Sequence, residues 1–303
     1  MGNYDPARAA RAMELLGQAR VAAGGEKELQ GVTSVSASIR LRRLVRYISV
    51  VSPKKVVQKE KTLTGSISIE LQLPDRFRKR VATSTLLGNK YSYVEVVNGE
   101  RVWREPTLQA ASSNRDPRLI DVSDFERSLA NQARSVREQF SFYAFVWLIR
   151  ILPDNSLRFN FAGWMKTDSG NADVLTAYDL ANNRAWLLLD QKTHLPKGFD
   201  SSYSIVRMVP VVVEGFVVTR NDYFRMMEKA REERRAQIKP AQRILFQTRL
   251  SDYRRVAGIL LPHRMATLIE GKLYEEMEIT KIEINRRLNP KDFEPKQKNR
   301  NGR

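Results

Sequence analysis

Hydrophobic and polar residues alternate with a period of two over several long stretches of this chain. From Ser34 to Tyr47, the residues Val35, Ala37, Ile39, Leu41, Val45 and Tyr47 fall on one side. Ser36, Ser38, Arg40, Arg42 and Arg46 fall on the other, and Arg43 interrupts the apolar row. From Thr62 to Leu73, Leu63, Ile67, Ile69, Leu71 and Leu73 oppose Thr64, Ser66, Ser68, Glu70 and Gln72. Strict alternation is the pattern of a half-buried strand. These strands exceed the common length of about five or six residues, which suits a curved antiparallel sheet with one face on the core. Between them, Ser52 to Lys61 is polar and basic and predicts a loop around Pro53-Lys54-Lys55.

The same reading predicts strands at 76–85, 87–97, 157–165, 173–180, 184–190 and 244–256. Asn98-Gly99 is a type I′ hairpin signal. Turns are expected at Asn182-Asn183 and at Pro196 to Gly198, and a loop from Pro106 to Arg118. Ser202 to Thr219 is β-prone, with Pro210 confining it to an edge or a break.

Three stretches carry helical spacing instead. Pro6 opens the first, where Ala9, Met13, Leu16 and Ala23 recur before Gly24-Gly25. It reads either as a lid or as a helix packed on a sheet. The second starts at Ser123, with Glu126 as its capping-box partner, and runs toward Leu152 before Pro153. Its second half, Phe140, Phe142, Tyr143, Phe145, Val146, Trp147, Leu148 and Ile149, is apolar nearly all round and must be buried. A core helix and a plug inside a concave sheet both satisfy that pattern. The third, about 224–239, is highly charged and is expected to be a solvated helical insertion.

The C-terminal stretch from Asp252 to Pro295 reads as a meander. Ala257-Gly258 and Glu270-Gly271 mark two reversals where glycine supplies positive φ. Met265, Thr267 and Ile269 face one way, and Leu273, Met277 and Ile279 keep step on one face. Ile282 and Ile284 then carry the apolar side, a slip of one that predicts a bulge.

Several of these segments, in their order, resemble bacterial outer-membrane lipoprotein-sorting proteins of the lipoprotein localisation factor (LolA/LolB-like) family. They are the opening helix AARAMELLGQARVAAGG (9–25), Leu73 to Arg78, Asn98 to Arg104 and Asp190 to Pro196. The end of the chain adds Tyr253 to Arg264, Gly271-Lys272-Leu273 and Asn289 to Glu294. The resemblance implies a half-open antiparallel barrel with helices over its mouth and a hydrophobic cavity that carries acyl chains. It also implies a periplasmic location, and a membrane transporter or acceptor lipoprotein as partner.

Charge and chemistry narrow the picture further. A net charge of +18 over 303 residues favours a polyanion, either nucleic acid or an anionic lipid surface. The absence of cysteine removes disulfides, thiolate metal sites and thiol catalysis. The opening residues lack the apolar core of an export signal, as the chain stands. His194 and His263 each flank a turn without metal-ligand spacing. No G-x-S-x-G, P-loop or dinucleotide fingerprint occurs. Glu275-Glu276 are adjacent on a strand and point to opposite faces. No enzyme and no cofactor are therefore expected. Arg40, Arg42 and Arg46 share one strand face, Arg76, Arg78 and Arg80 another, and Tyr91 or Tyr93 could stack on bases. No nucleic-acid-binding signature accompanies them, and the long apolar faces argue for an enclosed interior.

The expected fold is therefore mainly β with helices: a curved antiparallel sheet forming an incomplete LolA-like β-barrel, with an N-terminal helix and a central helical plug. Residues 1–295 are expected to form one domain and 296–303 a basic disordered tail. The expected function is non-catalytic binding and transfer of lipid or lipoprotein acyl chains by a monomer. The cavity residues expected are Ile39, Leu41, Ile67, Ile69, Leu71, Phe140, Phe145, Trp147, Phe161 and Trp186. Arg40, Arg42 and Arg46 are expected to meet an anionic membrane surface. The alternative is a sensory or scaffold module of the same fold that binds a protein partner, with a nucleic-acid binder ranked below both.

Overall fold

A computed structural model describes residues 5–52, 54–86, 88–105, 122–151, 157–178, 184–205, 211–213, 220–236 and 242–295. The expected loop at 106–118, the Asn182-Asn183 turn, Pro153, Pro210 and the tail at 296–303 lie outside these residues.

Helices α1 (Pro6–Ala23) and α2 (Glu26–Gln30) precede five strands: β1 (Ser34–Ser52), β2 (Lys55–Gln72), β3 (Arg76–Ser84), β4 (Lys90–Asn98) and β5 (Arg101–Glu105). Helix α3 (Val122–Leu148) leads to β6 (Arg158–Thr167), β7 (Gly170–Tyr178), β8 (Arg184–Asp190), β9 (Pro196–Ile205) and the short β10 (Val211–Val213). Helix α4 (Arg220–Ala236) precedes β11 (Gln242–Val256), β12 (Ile259–Ile269), β13 (Lys272–Ile284) and a 3-10 turn at Pro290–Phe293. All described strands belong to one sheet, ordered β5-β4-β3-β2-β1-β13-β12-β11-β9-β8-β7-β6, with β10 beside β1. Every pairing is antiparallel except that of β10 with β1.

The C-terminal meander follows its sequence pattern except at Leu273, where a second register shift, with Thr267 opposite Glu275 but Leu268 opposite Leu273, turns that side chain away from the face of Met277 and Ile279 and leaves it exposed. Ala257 and Gly258 have φ of 47° and 86°, and Glu270 and Gly271 have 51° and 72°, so both reversals carry two consecutive positive φ values. The expected bulge sits at Thr280: Ser38 pairs with Lys281 and Ile39 with Ile279. The extra threonine donates its hydroxyl to the Ser38 carbonyl at 3.1 Å. A bulge raises local twist and bends the strand, here where β13 meets the central β1.

Several boundaries differ from expectation. The hairpin of β1 and β2 continues through Ser52–Lys61, with Val50 opposite Val56. It is held as strand because Met226 and Ala230 of α4 bury Val50, with Val56 packed beside them. Helix α4 is thus anchored on one face, while Lys229 pairs outward with Glu232 at 3.2 Å and Glu233 at 3.5 Å. Asn98 pairs with Arg101 inside the β4–β5 ladder, so the turn residues are Gly99-Glu100. Gly99 alone takes positive φ, at 56°, the II′ pattern rather than I′. Pro196 starts β9 instead of a turn. The reversal lies earlier, where Asp190 Oδ1 accepts from the amides of Lys192 (2.9 Å) and Thr193 (2.8 Å). At Gly198 a Cβ would overlap the Thr248 carbonyl, so glycine lets β9 pair closely with β11.

Helix α1 packs on the sheet. Asp5 caps it, accepting from the amides of Ala7 (3.0 Å) and Arg8 (3.3 Å), with Pro6 in the first turn. Ala12, Leu15, Leu16, Ala19 and Ala23 form its buried stripe, whereas the expected Met13 is exposed. Helix α3 ends at Leu148 rather than near Leu152. Ile149 adopts φ of 49° and its amide bonds the Phe145 carbonyl at 2.7 Å, a left-handed termination. The Ser123 and Glu126 side chains lie outside the described residues.

Candidate functional site

Cross-strand register defines the inner face row by row. One row runs Ile284, Val35, Leu71, Phe77, Val97, Val102 and is apolar throughout. Another runs Ile279, Ile39, Ile67, Val81, Tyr93. The row between them runs Ile282, Ala37, Ile69 and then turns ionic on β3–β5, as Lys79, Glu95, Arg104. The face is therefore greasy at its centre and charged toward one edge.

The second half of α3 lies on this face. Phe140 and Tyr143 stack against Phe77, with ring centroids 5.7 Å and 6.2 Å apart. Phe145 stacks on Phe159 of β6 at 5.6 Å and meets Phe199 of β9 edge-on at 5.9 Å. The helix thus bridges strands from both halves of the sheet. Of the expected cavity residues, Ile39, Leu41, Ile67, Ile69 and Leu71 are buried here together with Phe140, Phe145 and Trp147, none more than 6% exposed. Phe161 packs partly buried against the same core. Trp186 does not join them. Its neighbours are Thr176 and Asp200, and it faces away from the side that buries Leu187 and Leu175. The run Trp186-Leu187-Leu188-Leu189 lacks alternation, so its sequence fixes no phase.

Two polar groups are sealed beneath the aromatic helix. The Tyr143 hydroxyl lies 3.9 Å from Met277 Sδ, and burial pushes its phenol pKa upward. Trp147 Nε1 is buried and has no hydrogen-bond partner among the described residues.

The charged edge gathers residues from six elements. Lys79 Nζ lies 3.7 Å from Glu95 Oε2 and donates to the Gln139 side-chain oxygen of α3. Burial lowers the Lys79 pKa, against the opposing fields of Glu95 and Glu275. Arg43 Nε donates to Glu275 Oε2 at 2.7 Å. The Arg104 guanidinium sits 3.8 Å above the Tyr93 ring and donates to Tyr91 Oη at 3.3 Å. The Tyr93 phenol is pushed up to about 12, first by burial and then by Glu95, against Arg104 and Arg43. Sequence reading found none of Lys79, Glu95, Arg104 or Gln139. The one available signal was Arg43, the charge that interrupts the apolar row of β1.

On the outer face, Arg40 pairs with Glu278 at 2.8 Å, Arg42 with Glu276 at 3.3 Å and Arg46 with Glu60 at 2.9 Å. The expected basic row is thus a row of ion pairs. Beside it, Ser38, Arg40, Ser66, Ser68, Arg80 and Thr280 line a shallow groove of about 450 Å³. His263 is buried with Nδ1 2.9 Å from the Leu261 carbonyl. Among the described residues no three His or carboxylate side chains converge as metal ligands.

No protein-family model matches the chain, and no curated protein matches it. Solved structures do. A LolA-superfamily protein from Nitrosomonas europaea aligns over 94% of this chain and 97% of its own, with 10% identity and a TM-score of 0.46. An outer-membrane lipoprotein-sorting protein domain from Vibrio parahaemolyticus aligns over 94% and 97%, with 11% identity and a TM-score of 0.40. A DUF1329-family protein from Desulfovibrio piger aligns over 93% and 97%, with 10% identity and a TM-score of 0.39.

Proposed function

We propose that this protein binds lipid, or the acyl chains of a lipoprotein, between the apolar inner face and α3, and passes them between membranes without catalysis. One observation carries the reading. The inner face of β1 and β2 is apolar across Val35–Leu41 and Ile67–Leu71 and continues through Phe77 and Val81 of β3, and its cover is a helix whose buried surface is largely aromatic. Displacing such a cover exposes a continuous apolar surface. Each methylene buried there contributes about 0.8 kcal/mol. The order of family-like motifs in the sequence supports the same reading. A periplasmic location, a monomeric state and a transporter or acceptor lipoprotein as partner go with it. No described helix is long and apolar enough to cross a membrane.

Mass spectrometry of organic extracts from natively purified protein tests this. Acyl lipid recovered at near-stoichiometric amounts is the expected result. Protein that carries no lipid, and takes up none from vesicles, overturns it.

A second reading draws on a specific observation as well. Phe140, Tyr143, Phe145 and Trp147 already fill the inner face at 1–6% exposure. That packing equally suits a closed module that senses or scaffolds a protein partner. A stable partner in pull-down, together with an empty interior, favours this reading over the carrier.

A further inference from the structure

The charged edge of the inner face holds three cations, Arg43, Lys79 and Arg104, against two carboxylates, Glu95 and Glu275. The carboxylates are taken: Glu275 by Arg43 and Glu95 by Lys79. Among the described residues, Arg104 has no carboxylate partner; it is held by a tyrosine hydroxyl and a tyrosine ring alone. Its Nε is buried and, among the described residues, has no hydrogen-bond acceptor. On the neighbouring strand, directly opposite Arg104, Glu95 Oε2 is also buried, and its nearest cation, Lys79 Nζ at 3.7 Å, stands beyond hydrogen-bond distance, so among the described residues it accepts no hydrogen bond. A guanidinium with a sealed, unused N–H and no ion-pair contact among the described residues is costly to keep. Its planar fork matches the oxygens of a phosphate.

We propose that Arg104, with Arg43 and Lys79 beside it, binds a phosphate group at the polar end of the inner face. Glu95 Oε2 accepts a hydrogen bond from a hydroxyl or ammonium carried on the same ligand. The layout places an anion at one edge of an apolar surface, which is the arrangement of an amphiphile. A phospholipid headgroup is the bearer that fits, and this identification rests on the lipid reading above. Free phosphate shares the chemistry and differs in lacking a chain.

Three probes separate the cases on one protein: dodecyl phosphate, dodecanol and inorganic phosphate, each titrated by calorimetry. The wild type is compared with Arg104→Met, which keeps the aliphatic stem, and with Arg104→Lys. The expected result is that dodecyl phosphate binds the wild type at least about tenfold more tightly than dodecanol. That advantage disappears in Arg104→Met and partly returns in Arg104→Lys, while dodecanol binding is unchanged in both. Equal affinity for the two amphiphiles overturns the phosphate site and leaves the lipid reading standing. If neither amphiphile binds, the lipid reading falls. Weak binding of inorganic phosphate that Arg104→Met abolishes then still supports the anion site, and its absence overturns that as well. Thermal melting of ligand-free Arg104→Met adds a control. Removing an uncompensated charge is expected to hold or raise the midpoint, whereas a marked drop shows a structural role and counts against the proposal.

Discussion

Arg20 of α1 donates from Nε to the main-chain carbonyl of Ile149 across 3.2 Å, joining the first helix to the end of α3. Ile149 is where α3 turns left-handed and stops. The last carbonyls of a helix lack intrahelical partners, and a cation there also meets the negative end of the helix dipole. Arg150 continues the seam by donating to the Val32 carbonyl at 3.2 Å. The aromatic cover is therefore fastened at its C-terminal end by side chains remote in sequence.

Arg20→Met keeps the packing stem and removes the donor. It is expected to lower stability by about 1–2 kcal/mol, read as a lower urea midpoint with unchanged slope. Arg20→Lys should recover part of the loss. An unaltered midpoint in Arg20→Met would show that the seam carries no energy.

Phe145 and Trp147 are 6% and 1% exposed. Phe145→Ala and Trp147→Ala are each expected to cost about 3–5 kcal/mol, as large core truncations do. Both variants should also take up more of an environment-sensitive fatty-acid probe per folded molecule, because the vacated space is apolar. Destabilisation with no gain in probe uptake assigns these side chains to a sealed core and removes α3 as a gate.

Burial by itself would raise the Asp190 pKa; bonds from Lys197 and from the Thr193 and Lys192 amides outweigh it and hold the carboxylate at about 2. A depressed carboxylate stabilises the fold above its unfolded pKa, and that stability is lost as pH falls through the folded value. Asp190→Asn should therefore lose about 2 kcal/mol at pH 7 and at pH 5. The gap from wild type should narrow between about pH 4 and 2. A gap independent of pH across that window would mean that the charge is not what matters.

The three outer arginines are each paired with a glutamate, and Glu276 also holds Arg264 at 2.8 Å. Replacing Glu60, Glu276 and Glu278 by Gln frees that row. The triple variant should co-sediment with anionic vesicles more than wild type does at low salt. The difference should fade as salt shortens the screening length below about 10 Å. Equal sedimentation with neutral and anionic vesicles in both proteins would rule out this face as a membrane contact.

The sequence by itself determined what depends on neighbours along the chain. Alternation at Ile39–Leu41 and Ile67–Leu71 sets which side chains share a face, since a strand repeats every two residues. The pairs Ala257-Gly258 and Glu270-Gly271 set two reversals, because tight turns need positive φ. The slip from Ile279 to Ile282 marks the Thr280 bulge, because an extra residue must shift the phase. Only the tertiary structure decided the rest. Glu95 meets Lys79 and Arg104 through strand pairing, so no local pattern places those charges together. The Ser52–Lys61 segment is polar and reads as a loop, yet its pairing with β1 and the covering helix α4 hold it as strand. Helix α3 stops at Leu148 although its residues favour continuing, because the chain turns left-handed at Ile149 and Arg20 takes the exposed carbonyl. Trp186 looks inward by composition and faces outward by register. In each case, a contact between residues far apart in sequence outweighs a local preference worth at most about 1 kcal/mol.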